Sequence, residues 1–287
     1  MIKLGSAFMT WSIISDSSCD LPNSAFDNQD FYFAKVPLKI IVGSTEFVDD
    51  DSLIVNSMLM KMKDYSGASS SACPAPEEWA QEFRKSENTI AVTMTSALSG
   101  TYNSAVVAKN LVLEEFPDKK IHVIDSRSTA GDLVLILRKA AELIASGADF
   151  ETVVEQTERY SKSLILLFAL GSYNNLIKTG RMSRVAGILA TTLGIRAVAS
   201  NTPEGEIQIL QKPRGEERAI RCIVETMAKL KNLAGQPVVI SHCNNLQGAQ
   251  RLKELIIHTC LTTKITILQT RGLTSFYTES GGFLIGF

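Results

Sequence analysis

The feature that most constrains this chain is its alternation of short, apolar, β-rich runs with longer stretches of helical period. Residues 11–15, 36–42, 89–94 and 122–124 are brief, apolar and followed by turn residues, as strands buried on both faces are. Between and after them, residues 52–62, 77–85, 103–116, 129–145 and 151–161 carry helical patterns. The second of these is entered through Pro74 and Pro76, and the third stops before Pro117. Strands joined by crossover helices predict a mainly parallel sheet covered on both faces.

The second half reopens with an apolar strand at 164–169, then helical stretches at 173–179 and 184–193 separated by Gly180-Arg181-Met182-Ser183. Residues 195–199 and 207–210 flank the turn Thr202-Pro203-Glu204-Gly205, the spacing of an antiparallel hairpin. Helix 216–232, strand 237–241, helix 247–259, strand 264–269 and an apolar tail complete the pattern. The expected fold is therefore α/β in two domains. Residues 10–160 would hold a mainly parallel sheet with flanking helices, and residues 161–287 a second α/β domain with a mixed sheet.

Composition narrows the function. Lys plus Arg number 29 against 30 Asp plus Glu, a net charge of −1, so no broad basic surface serves nucleic-acid phosphates or a membrane patch. No apolar run reaches 18 residues; the strongest, 164–170 and 187–199, are too short or interrupted to span a bilayer. The five cysteines are odd in number and show no CxxC spacing, which points to reduced thiols rather than a disulfide framework or a zinc knuckle. The first ten residues lack the apolar core of a secretion signal, so a cytoplasmic location is expected.

Three segments gather hydroxyls between a strand and a helix: Ser15-Asp16-Ser17-Ser18-Cys19-Asp20-Leu21-Pro22, Ser69-Ser70-Ser71-Ala72-Cys73-Pro74, and Thr95-Ser96-Ala97-Leu98-Ser99-Gly100-Thr101-Tyr102. In a parallel sheet all three fall at the carboxyl ends of strands, where ligands of open α/β sheets bind. Ser99 and Thr101 offer hydroxyls, Gly100 lets backbone approach closely, and the following helix contributes unpaired N–H groups suited to a carboxylate or phosphate. The same hydroxyls serve equally well as a plain helix cap. Asp49-Asp50-Asp51 reads as a solvated helix start.

In order along the chain, Asp16-Ser17-Ser18-Cys19-Asp20-Leu21-Pro22, Val36-Pro37-Leu38, Ser71-Ala72-Cys73-Pro74, Leu98-Ser99-Gly100-Thr101-Tyr102, Ile124-Asp125-Ser126 and Lys178-Thr179-Gly180-Arg181-Met182-Ser183 resemble the DegV family of bacterial fatty-acid-binding proteins. The resemblance implies a carrier without chemistry or cofactor of its own. It would bury one long-chain fatty acid, tail inside the C-terminal domain, and present the carboxylate to a separate ATP-dependent fatty acid kinase for acyl-phosphate formation. By position, Ser99 matches the serine that binds the carboxylate, with the Gly100 N–H and Thr101 beside it. Ser71 matches a hydroxyl on the other side of the head group, and Arg181 an arginine at the site edge or partner surface. Many members carry a histidine near the C-terminus that helps hold the carboxylate; Glu279 stands there in this chain. An ionised glutamate would repel the ligand, so Glu279 is expected to point away. Candidate tail-lining residues are 164–170, Leu176, Ile177, Met182, Val185, Ile188, Leu189, Leu193, Phe276, Phe283 and Leu284, all of which also suit an ordinary core.

The competing class is a serine hydrolase or acyl transferase with Ser99 as nucleophile. No G-x-S-x-G elbow surrounds Ser99, and the available bases are His122, His242 and His258, of which His242, at a strand end, is the best placed. No HExxH, paired-acid cluster or Walker loop is present.

Overall fold

The computed structural model describes residues 10–27, 29–182 and 194–287. Strands Trp11–Asp16 (β1), Tyr32–Val36 (β2), Asn88–Thr93 (β6) and Lys120–Asp125 (β7) form an all-parallel sheet in the order β2-β1-β6-β7. Burial on both faces explains their unalternating apolar character. The two serines of β1, one on each face, are both paired: Ser12 Oγ meets Thr89 Oγ1 at 2.8 Å, and Ser15 Oγ donates to the Val92 carbonyl at 3.1 Å.

The single strand expected over 36–42 is two. Pro37 cannot donate to a ladder, and the chain leaves the parallel sheet there to enter a second, antiparallel one. That small sheet, of Lys39–Val42 (β3), Thr45–Val48 (β4) and Ser69–Ala72 (β5) in the order β4-β3-β5, did not show in the pattern. The serine run 69–71, which reads as loop, is strand because β3 supplies its hydrogen-bonding partner. The helix expected from residue 52 begins at Val55 (α1, Val55–Asp64).

Six strands make the other large sheet: Leu166–Ala169 (β8), Val198–Asn201 (β9), Ile207–Gln211 (β10), Val238–His242 (β11), Ile265–Gln269 (β12) and Phe283–Gly286 (β13), ordered β10-β9-β8-β13-β11-β12. It is mixed. Only β11 and β12 run parallel, β9 and β10 form the expected hairpin, and the apolar tail is an interior strand antiparallel to both neighbours. Helices Glu216–Leu230 and Leu246–Cys260 cover one face of this sheet.

Helices Pro76–Phe83 (α2) and Thr101–Glu115 (α3) pack on one face of the parallel sheet, while Gly131–Ala145 (α4) and Phe150–Ser163 (α5) pack against its other side. Helix α4 also touches β11 and β13, so it lies between the two large sheets. Its first seven residues are all buried, as a helix with sheet on two sides requires. Gly131 makes the close approach possible, since a Cβ there would stand 2.9 Å from the Val239 carbonyl oxygen. The helical stretch expected over 184–193 lies outside the described residues, with Val185, Ile188, Leu189 and Leu193. Among the described residues no helix is long and apolar enough to cross a membrane.

Candidate functional site

The second face of the six-stranded sheet is not covered by packed helix alone. Strand alternation sends Leu167, Ala169, Phe283 and Ile285 to the helix-covered side, and Leu166, Phe168 and Leu284 to the opposite one. Those three, with Leu170 and Leu176, wall an apolar cavity. The space it leaves for the centres of water-sized spheres is about 80 Å³, several times the roughly 10–15 Å³ that one water needs. The facing wall comes from the ends of the parallel strands, Met94, Thr95, Leu98 and Ser99 after β6 and Arg127, Ser128 and Thr129 after β7. Leu38 and Ser71 from the small sheet close one side, and helix Gly272–Thr278 (α9, after α6 at Asn174–Lys178, α7 at Glu216–Leu230 and α8 at Leu246–Cys260) adds Leu273, Thr274, Tyr277 and Thr278.

Polar groups break this apolar surface at a few points. Ser71 Oγ meets Tyr277 O–H at 2.9 Å. Ser99 Oγ contacts Thr101 Oγ1 at 2.7 Å and accepts the Thr101 N–H at 3.3 Å, so it caps α3 as well as facing the cavity. Arg181 lines the same space, its guanidinium held by the Leu98 carbonyl at 3.2 Å and the Thr179 carbonyl at 2.9 Å. At another point the tip of the β9–β10 hairpin leans over the strand ends. Thr95 Oγ1 donates to the Gly205 carbonyl at 3.0 Å, and Arg127 to the Pro203 carbonyl at 2.9 Å.

Ser71, Ser99 and Arg181 are thus brought to one cavity from three distant segments. Gly100 and Thr101 are not part of its lining. Thr101 is fully buried at the start of α3, and Gly100 packs against Cys73, with 3.3 Å between its would-be Cβ and Sγ. Glu279 is not in the cavity either. It closes α9 with φ at +52° and faces a separate polar cleft with Lys178 and Ser69. Burial raises its carboxyl above the usual range, against a hydrogen bond from Ser172. Among the tail-lining candidates, Phe276 packs instead against α1 and β3, and Phe283 faces the helix-covered side of the sheet because its neighbour Leu284 takes the cavity side.

Tyr277 escaped the sequence reading, since nothing in Phe276-Tyr277-Thr278 distinguishes a site residue from an amphipathic helix end. Asp49 is not a solvated helix start: it is fully buried and accepts the N–H groups of Gly272 at 2.7 Å and Leu273 at 2.8 Å. None of the three histidines lines the cavity. His122 pairs with Glu158 at 2.8 Å, and His242 Nδ1 accepts the Asn245 N–H at 3.2 Å, with burial lowering its pKa. Among the described residues no group of three or more His, Cys, Asp or Glu is placed to hold a metal ion.

A parallel α/β layer and a mixed-sheet layer enclosing one apolar cavity with hydroxyls in its wall define a class of small-molecule-binding α/β protein. The chain belongs to the DegV family, whose model matches residues 10–287. A DegV domain-containing protein of Streptococcus pneumoniae is 42% identical over 282 residues, covering 97% of this chain and 99% of the relative. Among solved structures, the Streptococcus pneumoniae fatty acid kinase B3 protein loaded with linoleic acid superposes with a TM-score of 0.93 at 41% identity, covering 97% of this chain and 99% of that one. A DegV family protein of Eubacterium eligens loaded with heptadecanoic acid gives 0.90 at 30% identity, with 96% and 98% covered.

Proposed function

We propose that this protein binds one long-chain fatty acid, with the acyl tail in the cavity and the carboxylate among Ser71, Ser99 and Tyr277, and yields it to a fatty acid kinase. The observation that carries this reading is the apolar cavity itself, walled by Leu166, Phe168, Leu170, Leu176 and Leu284 and interrupted by few hydroxyls. A tail of roughly fourteen methylenes gains on the order of 11 kcal/mol at about 0.8 kcal/mol each, while each hydrogen bond to the carboxylate adds about 1.5–3 kcal/mol. The tail thus supplies affinity and the hydroxyls orientation, and few charges are needed. Relatives of 41% and 30% identity that carry linoleic and heptadecanoic acid support the ligand class, and the first, a fatty acid kinase B3 protein, supports a kinase partner.

As a carrier the protein performs no reaction of its own. The hydrolase reading lacks a base: Ser99 Oγ has Thr101 as its hydroxyl partner, and each histidine lies away from the cavity. Ser99, Ser71 and Tyr277 would hold the head group, Arg181 would flank it where a partner approaches, and an ATP-dependent partner would place the protein in the cytoplasm. Native mass spectrometry of the purified protein, followed by organic extraction, tests the reading. A co-purifying species of fatty-acid mass is expected. Its reproducible absence, with no uptake of added oleate or palmitate, overturns the proposal.

A further inference from the structure

Four buried groups from the first fifty residues line no part of the cavity, yet each holds a residue that does. Asp16 accepts the Met94 N–H at 2.6 Å while also binding the Ser18 N–H at 3.0 Å and hydroxyl at 2.6 Å. Ser17 Oγ accepts the Leu38 N–H at 3.1 Å and is hydrogen-bonded to the Asp49 carboxylate. Asp49 uses both oxygens, one on the Gly272 N–H and one on the Leu273 N–H. Asp20 accepts the Arg271 N–H at 2.8 Å and the Thr274 hydroxyl. Leu38, Met94, Leu273 and Thr274 all face the cavity, and the first three pack with Tyr277.

Three carboxylates this deeply buried are an expensive way to gain stability, because each loses its hydration and well-packed apolar residues would serve as well or better. What they supply is direction. A carboxylate accepts only, so it fixes N–H groups from segments that are otherwise unconnected. We propose that Asp16, Ser17, Asp20 and Asp49 are positioning residues for the binding site, a buried polar hub that aligns the Leu38–Met94–Leu273 wall and, through α9, holds the Tyr277 hydroxyl against Ser71. This rests on the fatty acid reading above and assigns a role to the Asp16–Asp20 segment within it.

The test compares palmitic acid with hexadecanol, which shares the tail but not the carboxylate, in displacement titrations of the full chain. In Asp49→Asn the amide NH₂ would confront one of the two backbone N–H groups, tilting α9 and its tyrosine. The acid is expected to lose about tenfold or more in affinity and the alcohol much less, so the acid-to-alcohol affinity ratio collapses toward one. Ser17→Ala, which leaves every carboxylate in place, should lower that ratio about threefold and decides the matter where Asp49→Asn does not fold. A folded variant, by thermal unfolding and near-ultraviolet circular dichroism, that keeps the wild-type ratio overturns the positioning role. Wild-type protein that takes up neither ligand overturns the fatty acid reading instead.

Discussion

The Ser71 hydroxyl and the Tyr277 hydroxyl lie 2.9 Å apart across 206 positions of sequence. One stands on an antiparallel strand of the first half and the other on a seven-residue helix near the end of the chain. In the proposed site one hydroxyl donates to the other, and the second keeps its proton for the carboxylate, so the pair offers one pre-oriented donor and little rotamer freedom is lost on binding. Ser71→Ala and Tyr277→Phe should each weaken palmitate binding about threefold to tenfold. Because the two hydroxyls act together, the double variant should lose less than the product of the two. Ser99→Ala should cost more, roughly tenfold to a hundredfold, as a donor to a charged oxygen. Titration of the four variants checks this, and unchanged affinity in Ser99→Ala removes the head-group assignment.

Leu166 and its neighbours Phe168 and Leu284 wall the cavity proposed to hold the tail. Leu166→Phe adds volume into a void rather than into packed core, so the usual overpacking cost of about 1–3 kcal/mol should be largely absent. Thermal stability is expected to hold while uptake of acids of sixteen or more carbons falls at least about tenfold on the same tail arithmetic. Equal uptake by the variant and the wild type would place the acyl chain elsewhere.

Asp132 reports on pH. It is fully buried at the start of α4, and burial holds its pKa up to about 7 from 3.8, against the Ser128 hydroxyl at 2.6 Å. A raised folded-state pKa means the native protein keeps a proton that the unfolded chain releases between these values. Its stabilising contribution is whole below about pH 4 and lost as pH rises through about 7, with a slope of up to about 1.4 kcal/mol per pH unit. Asp132→Asn abolishes that term. Thermal unfolding from pH 5 to 8 should show wild type losing stability relative to the variant, and parallel curves would contradict the assignment.

Gly205 allows the hairpin tip to close on the strand ends. Its φ is +84°, and a Cβ would lie 2.1 Å from Thr95 Oγ1 and 3.0 Å from the Arg127 Cα. Gly205→Ala should cost about 1–3 kcal/mol, lowering Tm by several degrees. Thr95→Ala in the same chain should recover part of the loss by removing the nearer clash, but not the backbone cost. A single variant as stable as wild type would show that the tip is free to move aside.

Much of the architecture was legible because it is local. Apolar runs of strand length, helical spacing and proline punctuation placed most elements, and the hairpin at Thr202–Gly205 followed from its turn chemistry. The split at Pro37 was missed, because 36–42 reads as one apolar run even though its proline cannot donate to a ladder. Ser69–Ala72 was not legible as a strand, because a serine run pairs only when another segment offers an edge. The site divides in the same way. Ser71, Ser99 and Arg181 sit in recognisable strings, whereas Tyr277 sits in none, and Glu279 was legible only as a departure from a pattern.

What the sequence by itself determined was the order and type of elements, the near-neutral surface and the hydroxyl-bearing loops, since periodicity, charge and turn residues act over a few positions. Only the tertiary structure decided which face of β8 and β13 looks into a cavity, that Asp49 is buried under α9, and that Tyr277 meets Ser71. Those depend on which segments share a buried volume. There an unpaired polar group must find its partner however distant in the chain, and local pattern carries no record of that choice.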